Sequence, residues 1–295
     1  MELGAVFPTC EIGDDPVQIR DWAQAAEGLG YSYIVIYDHV VGAEHADREP
    51  ALTGPYTQDD AFHEPFVLFG YLAAVTTSIE FETAVIIMPQ RQTVLAAKQA
   101  AEVDVLSGGR LRLGVGTGWN YVEYESLAVD WAQRGRMLDE QIEVMRELWS
   151  NDLVDIDADF HRIDRAGIAP RPKQSIPIWL GGSSEVAMRR AARLGDGFTF
   201  ASAGSRTVEM AEQLREIVAA ANRDAGSYPI EFNIPYGLGP EKWGTLTQQA
   251  QDASISHLCI NTMSVTSEWA GTPPSGLETP GDHIAGLERF IGLVR

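Results

Sequence analysis

A chain of 295 residues that is 45% hydrophobic is long enough to enclose one large core, and its formal net charge of −20 leaves few cations for a polyanion. Nucleic acid and anionic membrane surfaces are therefore not expected as partners, while a small anionic ligand stays open wherever a few arginines gather. Its two cysteines, Cys10 and Cys259, lie far apart and form neither a disulfide framework nor a metal-spaced pair, so both are expected as buried thiols.

The chain starts MELGAVFPTC, without a basic leader before an apolar segment, and no apolar run approaches the roughly 20 residues of a membrane span. A soluble, cytoplasmic protein is the expectation. Short β-branched and aromatic runs then alternate with longer amphipathic stretches. In chain order the strand candidates are residues 3–7, 33–36, 81–87, 111–115, 177–181, 198–201, 231–233 and 257–260. Pro16 and Pro65 stand where a first helical turn tolerates proline. In RGRMLDEQIEVMRELW, the recurrence of Leu138, Ile142, Met145 and Trp149 puts them on one helix face, and Met210, Leu214, Ile217 and Ala221 of TVEMAEQLREIVAAA do the same. Eight strand–helix units imply parallel pairing through crossovers and closure into an α/β fold of the (β/α)8 TIM-barrel type, a single domain over residues 1–295. An open doubly wound sheet is the competing architecture. Three stretches, 38–64, 150–176 and 262–281, are too long for simple connections and are expected as insertions. The first and third follow the C-terminal ends of strands, the catalytic face of a barrel. The middle one enters a strand and reaches that face only by folding across the top.

On a barrel, chemistry belongs to the residues just after each strand. Those positions hold Asp38-His39 after the second strand, Thr117-Gly118-Trp119-Asn120 after the fourth, Gly182-Ser183-Ser184 after the fifth and Ala201-Ser202 after the sixth. The only lysines, Lys98, Lys173 and Lys242, fall away from strand ends, so a Schiff-base nucleophile is lacking. No histidine–carboxylate cluster has ligand spacing, so no metal is expected, and no G-x-S-x-G elbow exists for acyl transfer. One histidine among hydroxyls, amides and aromatics suits a bound cofactor that carries the reaction itself. LGVGTGWNYVEYESL is not a dinucleotide fingerprint, because its spacing is G-x-G-x-G and it lies more than a third of the way along the chain. Its glycines either allow close approach of a ligand or only turn the chain. In LGGSSEVAMRRAARLGDGF a strand ends at Gly181-Gly182, Ser183 and Ser184 follow, and a helix starts near Glu185. The free N–H groups and helix dipole there suit a phosphate, or the serines merely cap the helix.

DHVV, MPQRQTVLAAKQAAEVDVLSGGRLRLGVGTGWNYVEYESL and PIWLGGSSEVAMRRAARLGDGF resemble the luciferase-like monooxygenase superfamily, and within it the branch of F420-dependent oxidoreductases. The resemblance runs from GAVFPT to about Phe200. It implies a (β/α)8 barrel, often a homodimer, that binds the deazaflavin F420, or alternatively FMN, at the C-terminal face of its strands. Asp38-His39 matches the Asp-His pair of F420-dependent members, with Asp38 beside the cofactor and His39 as the catalytic group moving a proton alongside a hydride. Ala84–Val85 would be a non-proline cis bulge behind the ring, with Ile86 and Ile87 beside it. Gly114, Gly116 and Gly118 would let the ring lie against bare main chain, Thr117, Gly118, Trp119 and Asn120 would line the pocket, and Gly181, Gly182, Ser183 and Ser184 would take the phosphate.

This chain also departs from those relatives. Some place a carboxylate where Trp119 stands and a lysine after the sixth strand; here Glu123 is only nearby, and Ser202 and Arg206 would replace the lysine. Arg91 is either an anion contact or a salt-bridged group, and His45, His63, His161, His257 and His283 are expected to be structural or at the surface. The resulting reading is an F420-dependent oxidoreductase that passes a hydride between cofactor and a small organic substrate. Its rivals are an FMN-dependent monooxygenase using O2 and a flavin-binding barrel without catalysis. Substrate choice would lie with the three insertions, where Tyr56, Phe62, His63 and Trp269 would form an apolar, aromatic cap.

Overall fold

Eight parallel strands close into a ring in the computed structural model, which describes residues 1–295. They are β1 (Glu2–Val6), β2 (Tyr33–Ile36), β3 (Glu80–Thr83, resuming at Ile86–Ile87), β4 (Leu111–Gly116), β5 (Ile178–Gly181), β6 (Gly197–Thr199), β7 (Ile230–Pro235) and β8 (His257–Asn261). Gly4 of β1 lies opposite Tyr33 of β2 and Cys259 of β8, and Phe81 of β3 lies opposite Leu111 of β4, so no edge is left open. Almost every strand residue is buried because helices cover the outside and side chains fill the inside.

The helices are α1 (Pro16–Gly28), α2 (Pro65–Val75), α3 (Thr93–Ser107), α4 (Tyr121–Ser126), α5 (Arg134–Ser150), α6 (Glu185–Leu194), α7 (Ser205–Ala220), α8 (Pro240–Asp252), α9 (Ser267–Ala270) and α10 (Pro280–Val294). Local chemistry starts several of them. Asp15 accepts the Val17 N–H at 2.8 Å ahead of Pro16, Glu64 accepts the Val67 N–H at 2.8 Å ahead of Pro65, and Thr279 and Asp282 cap α10 reciprocally. The stripe Leu138, Ile142, Met145 and Trp149 is buried as its spacing predicts. In α7, Leu214 is buried and Met210 and Ile217 pack against the core, but Ala221 falls one residue past the helix end.

The third strand is not the continuous run 81–87 that its composition predicts. Glu82 pairs with Arg112 and Ile86 with Val115, so four steps on β3 match three on β4 and one residue is extra. That bulge lies at Ala84–Val85, whose peptide bond is cis, as the family resemblance implies.

Polar groups occupy the lower barrel interior. Arg112 donates to Glu82 at 2.8 Å and to Glu80 at 2.7 Å while its guanidinium lies against the Tyr33 and Trp179 rings. Thr199 donates to Glu231 at 2.7 Å. Burial, and then the neighbouring Glu231, push the Glu82 carboxyl well above the usual carboxylate range, which favours its protonated form.

The three insertions behave differently. Residues 38–64 form no helix or strand and lie over the C-terminal face. Residues 150–176 contain an antiparallel hairpin of Val154–Asp157 with Arg162–Ala166. At the hairpin's tip His161 Nδ1 and the Phe160 N–H meet Glu140 at 2.7 and 2.9 Å, which pins this segment to the outside of α5 rather than across the top. The third insertion carries the single turn α9. No helix is long and apolar enough to cross a membrane. Cys10 and Cys259 are free thiols; Cys259 is buried as expected, whereas Cys10 is only half-buried.

Candidate active site

A cleft of about 770 Å³ opens among the C-terminal ends of the strands, within the size range of small-molecule sites. Ten of the expected positions line it: Ala84 and Val85 at the bulge, Thr117, Gly118 and Trp119 after β4, Gly181, Gly182 and Ser183 after β5, and Ser202 and Arg206 after β6.

Strand packing gives the glycines of β4 a reason of their own. A Cβ on Gly114 would sit 1.8 Å from the Thr83 carbonyl oxygen, one on Gly116 would sit 2.5 Å from Val85 Cγ2, and one on Gly118 would sit 3.0 Å from Ile87 Cγ2. Alternate residues of β4 thus lack side chains because alternate residues of the bulged β3 press onto them. Gly181 completes the arrangement, its missing Cβ lying 2.5 Å from Val85 Cγ1. Val85 is therefore wedged between Gly116 and Gly181, and all three line the cleft as a smooth wall of main chain and one isopropyl group.

Groups able to hold an anion stand on two sides of that wall. On one, α7 begins at Gly204 (φ 124°) without a side-chain cap, Ser202 and Thr207 share a hydrogen bond at 3.0 Å, and exposed Arg206 has no ion pair. On the other, a recess of about 380 Å³ shares Gly116, Thr117 and Gly181 with the cleft and is walled by Ser184, Arg134 and Arg190. Arg134 stacks on Trp131 at 3.7 Å and donates to its carbonyl at 2.8 Å, with no carboxylate partner. Arg190 is paired with Asp139 and also donates to Gly135 O at 3.2 Å. Ser184 caps α6 by accepting the Ala187 N–H at 3.3 Å, so it lines this recess and not the main cleft.

His39 stands just behind the cleft. Its ring lies 5.4 Å from that of Trp119, which does line the cleft, and 5.0 and 4.8 Å from Tyr56 and Phe62. Its Nδ1 is 3.2 Å from both oxygens of Glu123. Burial raises the Glu123 carboxyl, but hydrogen bonds from His39, Gln90 and the Val40 N–H outweigh it and hold the group below the usual carboxylate range. An ionised Glu123 keeps the proton on Nδ1, which leaves the Nε2 lone pair free of any protein partner.

Four expected residues do other work. Asp38 accepts the Ile87 N–H at 2.9 Å and Arg91 Nη2 at 2.7 Å, so both oxygens are spent holding β3 beyond its bulge. Ile86 is part of the main core and Ile87 fills the space against Gly118. Asn120 is buried as the cap of α4, accepting the Val122 N–H at 3.0 Å. Arg91 is the salt-bridged group of the two readings, bound to Asp38 and, at 2.9 Å, to Glu64. Of the expected aromatic cap only Trp269 reaches the cleft; Tyr56 and Phe62 wall in His39, and His63 is 3.1 Å from the Gly13 carbonyl.

Some site residues had no signal in the sequence. Glu123 is the partner of His39 across 84 positions, and Tyr37, Thr199 and Asn233 line the cleft from β2, β6 and β7. Tyr37, Thr199 and Asn233 sit at or near strand ends, the signal that could have flagged them, but nothing in the chain says which side chains turn inward, and Glu123 lies in α4 beyond any strand end. Among the other histidines, His257 lies between the Tyr33 and Trp179 rings, where burial and then Arg112 push it down to about 3.

The closed barrel and its ligand-sized cleft at the strand ends define a class of enzymes that work on small molecules, and the comparisons narrow it. The sequence model of the luciferase-like monooxygenase family matches residues 1–240, and the chain belongs to that family. An uncharacterised protein of Mycobacterium tuberculosis is 37% identical over 253 residues, covering 74% of this chain and 86% of the relative. An F420-dependent glucose-6-phosphate dehydrogenase of Mycolicibacterium smegmatis is 32% identical over 240 residues, covering 77% and 67%. Among solved structures, an F420-dependent secondary alcohol dehydrogenase with an F420–acetone adduct matches 100% of this chain and 99% of its own with a TM-score of 0.75 at 17% identity, a likeness of fold.

Proposed function

We propose that this protein is an F420-dependent oxidoreductase acting on a small organic substrate. The observation that carries the reading is Val85 wedged between Gly116 and Gly181, which gives the cleft a wall of main chain and one isopropyl group. A planar tricyclic ring fits such a wall, and the groups at its two sides, Ser183 with the Ser184–Arg134 recess and Ser202 with Arg206, fit an anionic tail. When bound, F420 supplies a two-electron hydride carrier. The protein's part is to hold the ring against Val85, to line the cleft with Trp119 and Trp269, and to fix the tautomer of His39, just behind Trp119, through Glu123.

FMN is the second reading, favoured by the family to which the chain belongs. Calorimetric titration of the purified protein with F420 and with FMN tests both. Tighter binding of F420, and hydride transfer without O2 consumption, is the expected result. Tighter binding of FMN with O2 uptake overturns it in favour of the monooxygenase, and binding of neither overturns both.

A further inference from the structure

We propose that Tyr37 is a hydrogen-bond donor to the cleft's ligand, presenting its phenol O–H to a carbonyl-type oxygen. Tyr37 follows the last residue of β2 and lines the cleft together with Asn233. Its side chain crosses the barrel mouth, where the phenol oxygen accepts Asn233 Nδ2 from β7 at 2.8 Å and Asn261 Nδ2 from β8 at 3.4 Å. The orientation of Asn261 is fixed from behind, since its Oδ1 accepts the Met263 N–H at 3.0 Å. A phenol oxygen has two lone pairs and one hydrogen. As the two amides stand, both approach the phenol oxygen with Nδ2, so both lone pairs face donors and the phenol hydrogen meets no acceptor from either. No other protein acceptor meets it, so the hydrogen is left for the open side, which is the cleft.

The group is a donor and not a base, because burial, with nearby Cys259 adding to it, pushes the phenol well above its ordinary range. A neutral donor braced by two amides suits an oxygen on which negative charge grows. Two sources carry such an oxygen under the proposed function, on which this inference rests: a carbonyl of the cofactor's ring, or the carbonyl of a substrate. Neither Tyr37 nor its amide partners carry the assignment of the cofactor itself.

The test is Tyr37→Phe, which keeps the ring and removes the donor, read by the Kd for F420 and FMN, by the visible spectrum of the bound cofactor, and by the Kd of acetone for the loaded protein. A loss of about tenfold in cofactor affinity with a shifted spectrum assigns the donor to the ring, and a similar loss confined to acetone assigns it to substrate. Asn233→Asp is the second variant. Its carboxylate accepts the Tyr37 hydrogen and withdraws it from the cleft, so the same measurement falls by a similar factor, even if Tyr37→Phe fails to fold. The proposal is overturned if both variants stay within about twofold of wild type in every reading. A wild-type protein that binds neither cofactor overturns the proposed function and this inference with it, which is a different result from binding that the variants leave unchanged.

Discussion

Glu123 and His39 form a unit in which each explains the other. The imidazole gives the buried carboxylate a hydrogen bond, and the carboxylate fixes which imidazole nitrogen stays basic. In steady-state assays with the cofactor bound, His39→Ala is expected to lower kcat by about 100-fold, the scale of a lost general acid or base. Glu123→Gln, which keeps the shape but removes the charge, is expected to cost about tenfold to 100-fold. The double variant should be little worse than His39→Ala alone, since both changes remove the same proton relay. Strictly multiplicative losses would instead show two independent contributions. The sequence exposed half of this unit. His39 sits in a recognisable Asp-His pair at a strand end, whereas Glu123 meets it only because the turn after β4 folds back beneath residues 38–41. Asp38 shows the opposite error. A carboxylate at a strand end reads as a ligand contact, yet both of its oxygens are consumed by a main-chain N–H and an arginine that only the folded barrel brings near.

Strand pairing makes the ring wall, and two expectations test that level. Gly181→Ala places a methyl 2.5 Å from Val85 Cγ1 and 3.3 Å from Thr199 Cγ2. Overpacking there should destabilise the barrel by about 1–3 kcal/mol in denaturant unfolding and weaken cofactor binding, because Val85 must move into the cleft. Unchanged binding with unchanged stability would show that the wall can yield. The second expectation concerns the buried acids. Glu82 holds a proton in the native barrel that the unfolded chain gives up above pH about 4.5, so its contribution is complete below that value and is lost as pH rises. His257 is neutral in the native state with its pKa at about 3 and takes up a proton on unfolding below about 6.5, so its contribution fades as pH falls through that window. The stability of Glu82→Gln, which mimics the protonated form, should therefore fall less steeply than that of wild type as pH rises above about 4.5. Equal slopes for the two proteins would mean that Glu82 is ionised in the native state.

The strands themselves were legible from alternation of apolar runs with amphipathic segments, since a parallel barrel needs both faces of every strand buried. The break in β3 was legible only through the family resemblance, because Ala84 and Val85 by themselves read as ordinary strand residues. Gly114, Gly116 and Gly118 were visible as a spacing of two, but their meaning depends on Thr83, Val85 and Ile87, which carry the same spacing on the neighbouring strand.

The closed ring also leaves one question for the molecule's outside. Most of the surface is acidic, with a formal charge of −20, yet α2 and α3 expose Val67 (72%), Leu106 (60%) and Leu95 (54%), with Val94 and Val105 beside them. Leu95 and Leu106 are three helical turns apart and so share one side of α3. We expect these exposed apolar side chains, on two helices that pack against each other, to form a contact surface with a second copy of the chain. Two chains of like charge repel, so salt should tighten rather than loosen the pair, because screening removes the repulsion and leaves apolar burial in place. Sedimentation at micromolar protein should show a dimer that strengthens with added NaCl, and Leu95→Glu combined with Leu106→Glu should give a monomer. Cofactor affinity should survive that double change, because neither residue approaches the cleft. A wild-type monomer at every salt concentration would remove the second copy from consideration and leave the α2–α3 face to some other partner.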